Sequence, residues 1–239
     1  MVISGWELKY RGILREFKYD MNLDVESAKM LDSIVKKSYS INKLEELIVG
    51  KPVIVVGAGP SLLHALPFLK KFKHTTKIVA DSAIEAIVKE KINPEIIVTD
   101  LDGDEYSLKK MGKTETVFVV HAHGDNIEEI EKLVPKFKKV LGTTQVMPVT
   151  NVYNFGGFTD GDRAVFLAEE FGAKEIILVG MTFGNTVGNY SKSTQDIDIK
   201  KEKLKIAKKL LQTLAKNSRS VLYDTSKKPI TGFKEFEPT

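Results

Sequence analysis

Seven short apolar runs, PVIVVGAG, KIVADS, EIIVTD, TVFVVHAH, KVLGTT, EIILVGMTFG and SVLYDTS, constrain what this chain can fold into more than any other feature. Between them lie amphipathic stretches of helical period, among them SLLHALPFLKKF, SAIEAIVKEK, NIEEIEKLVPKF and GDRAVFLAEEFG, and a lysine-rich segment begins near Lys200. Unbroken Val/Ile runs alternating with helices predict a parallel sheet covered on both faces, because a strand buried on both sides has no polar alternate positions. The expected class is α/β and Rossmann-like, mostly parallel. Ligands of such sheets bind beyond the carboxyl ends of the strands. The chemistry should therefore lie just after each run, where GAGPS, ADS, TDLDGD, HAHGDN and GMTFGN stand.

Residues 1–49 carry no such runs. Ile13, Leu14 and Phe17, then Leu31, Ile34 and Val35, then Leu44, Leu47 and Ile48 recur at helical spacing, which predicts a helical N-terminal section before an α/β catalytic domain over 50–239. That section offers an amphipathic surface for a homodimer. No apolar run approaches the roughly 18–20 residues that cross a bilayer, and the start lacks a signal-peptide pattern, so no membrane partner and a cytoplasmic location are expected. The chain has no cysteine, so a metal must be held by oxygen or imidazole, which favours hard cations. Its 36 Lys and Arg against 32 acids give a net charge of +4, much of it in helix-like lysine runs without interleaved aromatics. This reads as a solvated face rather than a nucleic-acid surface, and abundant Lys and Glu without Cys fits a thermophile.

In VIVVGAGPSLL, Gly57 and Gly59 form a strand-to-helix turn, with Pro60 suited to the first helical turn and Ser61 after it, leaving main-chain N–H groups to face an anion. Leu62 breaks the dinucleotide fingerprint and no Gly-Lys-Ser/Thr follows, so a turn needed only for chain reversal reads equally well. EIIVTDLDGD crowds Asp100, Asp102 and Asp104 at a strand end. It is not a calcium loop, because the sixth position is Glu105 and the twelfth Met111. Carboxylates crowded at a strand mouth repel unless a cation lies between them, which favours magnesium over a polar turn. His121 and His123 are spaced as an H-x-H metal pair or as polar groups lining an active-site mouth. Thr159, Asp160, Asp162 and Arg163 open a helix. Capping needs only one of them, so a contribution to a metal–phosphate site is open beside it. The polar GMTFGNTVGNYSK stretch is expected to be a substrate loop.

These motifs, in this order, resemble two related groups. ADSAIEAIVKEKINPEIIVTDLDGD and FTDGDRAVFLA are similar to the core of the thiamin pyrophosphokinase superfamily, although Ser82 and Ala83 replace its paired glycines and argue against thiamin. The closer likeness, carried by GAGPSL, TDLDGD, HAHGDN, FTDGDRA and the GM-x-FG loop, is to the archaeal 6-hydroxymethyl-7,8-dihydropterin pyrophosphokinases, the MptE-like family. It implies diphosphate transfer from ATP to the hydroxymethyl group of a reduced pterin, release of AMP, and a need for Mg2+. It places metal on Asp100, Asp102 and Asp160, with Asp81 beside it. Arg163, Thr159, His121, His123 and Asn126 would complete the nucleotide site with the glycine turn. Thr182 stands where that loop is expected to be acidic. Asn126, Asn154, Phe155 and Phe158 are candidates for the pterin. The rivals are a glycosyltransferase akin to flagellin-modifying proteins, a metal-dependent phosphohydrolase using the two histidines, and a nucleotide-binding module without turnover.

Overall fold

The computed structural model describes residues 5–35, 39–183 and 197–238. Nine strands form one sheet in the order β6-β5-β4-β3-β2-β1-β7-β8-β9, and every pairing is parallel. They are β1 (Pro52–Val56), β2 (Thr76–Ala80), β3 (Ile96–Thr99), β4 (Val117–Ala122), β5 (Val140–Thr144), β6 (Val152–Tyr153), β7 (Glu175–Val179), β8 (Val221–Asp224) and β9 (Lys234–Glu235). The seven apolar runs supply β1 to β5, β7 and β8. The edge strands β6 and β9 are two residues long, too short to show any period.

The helices are α1 (Trp6–Phe17), α2 (Met21–Ile34), α3 (Ile41–Ile48), α4 (Leu62–Lys71), α5 (Ile84–Lys89), α6 (Glu105–Met111), α7 (Ile127–Leu133), α8 (Asp160–Glu170) and α9 (Ile197–Ala215). Strand order advances from β1 to β6, then returns through α8 to set β7 on the other side of β1. With right-handed crossovers this reversal puts the connecting helices on opposite faces of the two halves and opens a crevice between β1 and β7. Helix α8 lies against β1, β2, β3 and β7, and α9 packs on α8. Its first turn consequently sits over the carboxyl ends of the central strands.

The N-terminal helices share one hydrophobic core with the sheet, from Trp6 and Leu31 to Leu178. Helix α2 packs on β4, β5, β6 and α7. Its Asp24 accepts a hydrogen bond from Gly124 N–H at 2.9 Å, and Trp6 Nε1 donates to the Gln145 carbonyl at 2.9 Å. Both contacts fasten loops that follow strands, so these helices border the functional edge of the sheet. No helix among the described residues is long and apolar enough to cross a membrane.

Two local expectations change. Pro60 is not in the first helical turn, because Leu62 N–H bonds the Gly59 carbonyl at 3.0 Å and closes a four-residue turn in which Pro60 takes the second position, the one its fixed φ suits. Helix α6 fills the stretch after the acidic motif, which showed no helical signal. Of the GMTFGNTVGNYSK loop, residues 184–192 lie outside those described.

Candidate active site

The strand-end loops converge on three carboxylates. Asp81 after β2, Asp100 after β3 and Asp160 at the start of α8 each offer one oxygen, and the three lie within 4.8 Å of one another. Asp81 is fully buried and held by two donors, Thr99 Oγ1 at 2.6 Å and Gly103 N–H at 3.0 Å, both to Oδ2. Its Oδ1 and the Oδ1 of Asp100 are buried with no hydrogen-bond partner. A buried carboxylate oxygen without a donor is costly, and two of them beside a third carboxylate are costlier. Burial first, then the charge of Asp100, pushes Asp81 up to about 7. Burial and Asp100 push Asp160 well above the usual carboxylate range against the opposing pull of Arg163. Asp100 is the one kept ionised: burial raises it, but the His123 hydrogen bond and charge and the Arg163 guanidinium outweigh that. An all-oxygen set with unpartnered buried atoms fits a hard divalent cation.

Asp102 falls outside this trio, contrary to its expected place as a direct ligand. The chain turns at Leu101, a buried residue forced to φ 73°, where its N–H reaches back to Thr99 Oγ1 at 2.8 Å. Left-handed backbone at a buried non-glycine residue is strained, and such strain gathers at functional sites. Asp102 is left hydrogen-bonded to Asp100, and burial with the charges of Asp100 and Asp81 pushes it up to about 8. Gly103, expected only as the glycine of a polar turn with Asp102, is required by contact: a Cβ there would lie 2.0 Å from Asp81 Oδ1. Asp104 is the N-cap of α6, its Oδ2 accepting from Ser107 N–H at 3.0 Å and Ser107 Oγ at 2.7 Å. Asp104→Ala should remove ~1 kcal/mol of stability and lower Tm by roughly 2–4 °C in thermal unfolding; an unchanged Tm would contradict the cap.

The motif at α8 divides its work. Thr159 and Asp162 form the capping box, Asp162 accepting from Thr159 N–H at 2.7 Å, Thr159 Oγ1 at 2.5 Å and Phe158 N–H at 2.7 Å. Asp160 is thereby released to the trio. Arg163 donates to Asp160 Oδ1 at 3.1 Å and to Gln145 Oε1 at 3.2 Å.

The two histidines part company. His123 Nε2 lies 3.3 Å from Asp100 Oδ2. His121 is buried within β4 and lines neither hollow at the site, with Nδ1 3.2 Å from Thr143 Oγ1, and burial followed by the Arg163 charge keeps it neutral. It is therefore not the cavity-lining ligand expected. Among the described residues the one group able to hold a metal contains no histidine. Asn126 corrects another expectation: Nδ2 donates to the Asp100 and His121 carbonyls, both at 2.7 Å, while Oδ1 accepts from His123 N–H at 3.1 Å and Ser27 Oγ at 3.2 Å. Its amide is fully used in buckling two strand ends to α2. Asn154 is likewise engaged, with the Val146 carbonyl and Gly156 N–H, and Phe155 packs on Tyr153 and Phe171.

At the β1–β7 crevice the glycine turn has a different justification from the expected one. Gly57 N–H donates to the Val179 carbonyl at 2.9 Å and Gly59 N–H to the Gly180 carbonyl at 2.5 Å. A Cβ on Gly59 would lie 2.6 Å from the Gly180 oxygen and 2.7 Å from Thr182 Oγ1. The glycines thus admit the neighbouring loop and do not aim their own amides at an anion. Gly57, Ala58, Gly59 and Thr182 line a cavity of about 530 Å3 that extends to Asp100, Asp102 and Asp160, whereas Pro60 and Ser61 lie outside its lining. Lys200 and Lys203 of α9 also line it, so the lysine-rich helix is not wholly a solvated face. Lys200 is lowered by burial and drawn back up by Asp102.

A sequence-family model described as 6-hydroxymethylpterin diphosphokinase, MptE-like, matches residues 26–188. The chain is 43% identical over 231 residues to the 6-hydroxymethyl-7,8-dihydropterin pyrophosphokinase of Methanocaldococcus jannaschii, covering 90% of this chain and 96% of that one. Proteins of the same description from Pyrococcus furiosus and Methanothermobacter thermautotrophicus are 45% and 39% identical, covering 92% and 91% of this chain and 97% of each relative. Among solved structures, the MAf glycosyltransferase of Magnetospirillum magneticum superposes with a TM-score of 0.54 at 13% identity over 84% of this chain. The match spans 35% of that larger protein, and at this identity it speaks for the fold alone.

Proposed function

Because the chain belongs to the MptE-like 6-hydroxymethylpterin diphosphokinase family, we propose that it transfers the β,γ-diphosphate of ATP to the hydroxymethyl group of 6-hydroxymethyl-7,8-dihydropterin and releases AMP. The observation that carries this reading is the trio of Asp81, Asp100 and Asp160, with two unpartnered buried oxygens, opening on a cavity that also holds the glycine turn. Asp81, Asp100 and Asp160 would hold Mg2+, which when bound neutralises charge on the phosphate oxygens.

In the transfer, the alcohol oxygen attacks the β-phosphorus and the α–β bridging oxygen leaves with AMP. The chain's own groups then have distinct tasks. Lys200 and Lys203 counter phosphate charge at the cavity wall. Ala58, between the two glycines, lines the same cavity and offers its main-chain N–H there. Arg163 fixes Asp160 through its 3.1 Å contact, and His123 fixes Asp100. Asp102, at the cavity wall and hydrogen-bonded to Asp100, takes the proton from the alcohol once its own is lost beside a cation at the neighbouring carboxylates. A histidine-centred hydrolase has no support from the geometry, since His121 is sequestered and His123 is engaged with Asp100.

Incubation with ATP, Mg2+ and the reduced pterin alcohol should yield AMP and the pterin diphosphate, separable by chromatography; ADP as the nucleotide product would overturn the reading. Lys200→Ala should raise the KM for ATP about tenfold with a smaller change in KM for the pterin.

The carboxylates also predict a pH-dependent stability. Asp81 at about 7 and Asp102 at about 8 sit above their unfolded value, so the folded protein without a cation binds more protons than the unfolded chain between pH ~4 and 8. The contribution of these two groups is full below pH ~4 and is lost as pH rises through that window, whereas that of Asp100, held below its unfolded value, is lost as pH falls. The increase in Tm on adding Mg2+ should accordingly grow from pH 5 to pH 8; a Tm shift independent of pH would count against cation binding at these groups.

A further inference from the structure

Two hollows open at the carboxyl edge of the sheet. The larger is the 530 Å3 cavity between the glycine turn and the α9 lysines. The smaller, about 60 Å3, lies toward the N-terminal helices, where Tyr19, Leu23 and Asp24 face Gln145, Phe158 and Arg163. Asp100, His123, Asp125, Phe158 and Lys203 belong to both, so the hollows meet at Asp100. A group transfer needs donor and acceptor atoms about 3–3.5 Å apart before reaction. Two hollows that share Asp100 meet that requirement from opposite sides.

Resting on the diphosphokinase reading, we propose that the smaller hollow and the seam beside it bind the flat heteroaromatic acceptor alcohol, while the larger cavity takes the nucleotide. The small hollow is too narrow for a whole fused bicycle. The ring lies across the seam, its outer edge among Tyr19, Leu23 and Asp24 and its hydroxymethyl group toward Asp100.

The chemistry of the two sides differs as the two substrates do. Phe17 packs with its ring centre 5.4 Å from Tyr19 and 5.6 Å from Phe158, which gives the small hollow an aromatic base. Its polar wall is already fixed: Gly124 N–H and Tyr10 Oη hold the Asp24 carboxylate, and Arg163 holds the Gln145 amide. Gln145 Nε2 also reaches Asp24 Oδ1 at 3.4 Å, so the carboxylate and amide already have partners and shape the hollow, while the aromatic rings offer a planar acceptor its contact. The larger cavity offers lysines and a glycine turn, suited to a polyphosphate. Of the four pterin candidates raised by the sequence, only Phe158 lines the shared wall without its polar groups being consumed elsewhere, having none. The division assigns acceptor selection to α2 and the segment preceding it, and phosphoryl chemistry to the sheet.

Tyr19→Ala and Leu23→Trp test this. Neither is a buried core residue, Tyr19 being half-buried against Phe17 and Leu23 42% exposed, and Leu23→Trp in addition leaves in place the Tyr19 ring, its centre 5.8 Å from Lys203 Nζ. The measurements are KM for the pterin alcohol and the dissociation constant of α,β-methylene-ATP with Mg2+, a nucleotide that cannot release AMP by this route. Each variant should raise the pterin KM by about tenfold or more and leave nucleotide binding within about twofold. An unchanged pterin KM in both variants, or a parallel loss of nucleotide binding, overturns the acceptor placement. If wild-type protein releases no AMP with the pterin alcohol, the function and the placement fall together; wild-type turnover with unaffected variants removes the placement alone.

Discussion

Asp100→Asn should fold normally and lower the rate of AMP release by about 10³-fold or more, equivalent to roughly 4 kcal/mol of lost transition-state stabilisation. Asp100 touches more of the site than any other residue. It completes the carboxylate trio, meets His123 at 3.3 Å, hydrogen-bonds Asp102 and faces both hollows. The amide keeps the volume and removes the charge. With that charge gone, a main cause of Asp102's raised affinity for protons disappears, so the proposed proton acceptor weakens along with the cation site. Because His123 and Arg163 hold Asp100 ionised, the loss of its charge should lower Tm only modestly in the absence of Mg2+, offset in part by relief of its like-charged neighbours. Steady-state AMP release and thermal unfolding check the two halves separately. A variant with wild-type turnover would remove Asp100 from the chemistry; a variant that loses Tm by many degrees would make it a structural residue.

Gly103→Ala is expected to cost at least about 10²-fold in kcat although it removes no polar group, because displacement of a reacting group by an ångström has effects of that size. The new methyl would lie 2.0 Å from Asp81 Oδ1 and 2.6 Å from its Cγ. Asp81 has no room to retreat, being fully buried and clasped by Thr99 Oγ1. The loop must therefore lift, which breaks the 3.0 Å bond from Gly103 N–H and pulls Asp100 and Asp102 out of register with Asp81. The far-ultraviolet circular dichroism should match the wild type, and the Mg2+-dependent rise in Tm should vanish. Full activity in this variant would show that the loop can move without consequence.

How much of this was legible in the sequence depends on how far each cause lies along the chain. The central strands were plain, because burial on both faces writes itself as continuous Val and Ile. Helix α6 was hidden by the acidic motif it follows, and only the hydrogen bonds to Ser107 reveal Asp104 as its cap. Asp160 and Asp162 looked alike as a pair at a helix start; the fold separates them by sending Asp162 back onto Thr159 and Phe158. Asn126 read as a ligand because one of the four groups that engage its amide, Ser27, comes from a distant helix. Gly103 read only as a turn glycine beside Asp102, since its stricter demand comes from a carboxylate on another strand end. Helical period showed which lysines share a face of α9, but not that Lys200 and Lys203 would border a cavity.

The reversal of strand order at β1 also bears on how the molecule is made. From β1 to β6 each new strand is laid beside the one before it, so that half of the sheet can grow as the chain leaves the ribosome. The other side of β1 waits for β7, with Pro52 opposite Glu175, and stays an open hydrogen-bonding edge until then. Pairing across so long a loop is entropically slow. Chains arrested before β7 would expose an apolar central strand, the kind of edge that recruits other chains. The contact of the Gly57–Gly59 turn with Gly180 and Thr182 belongs to that last closure, so a nucleotide analogue that binds there should accelerate neither collapse nor the early pairings, and should act only on the final step.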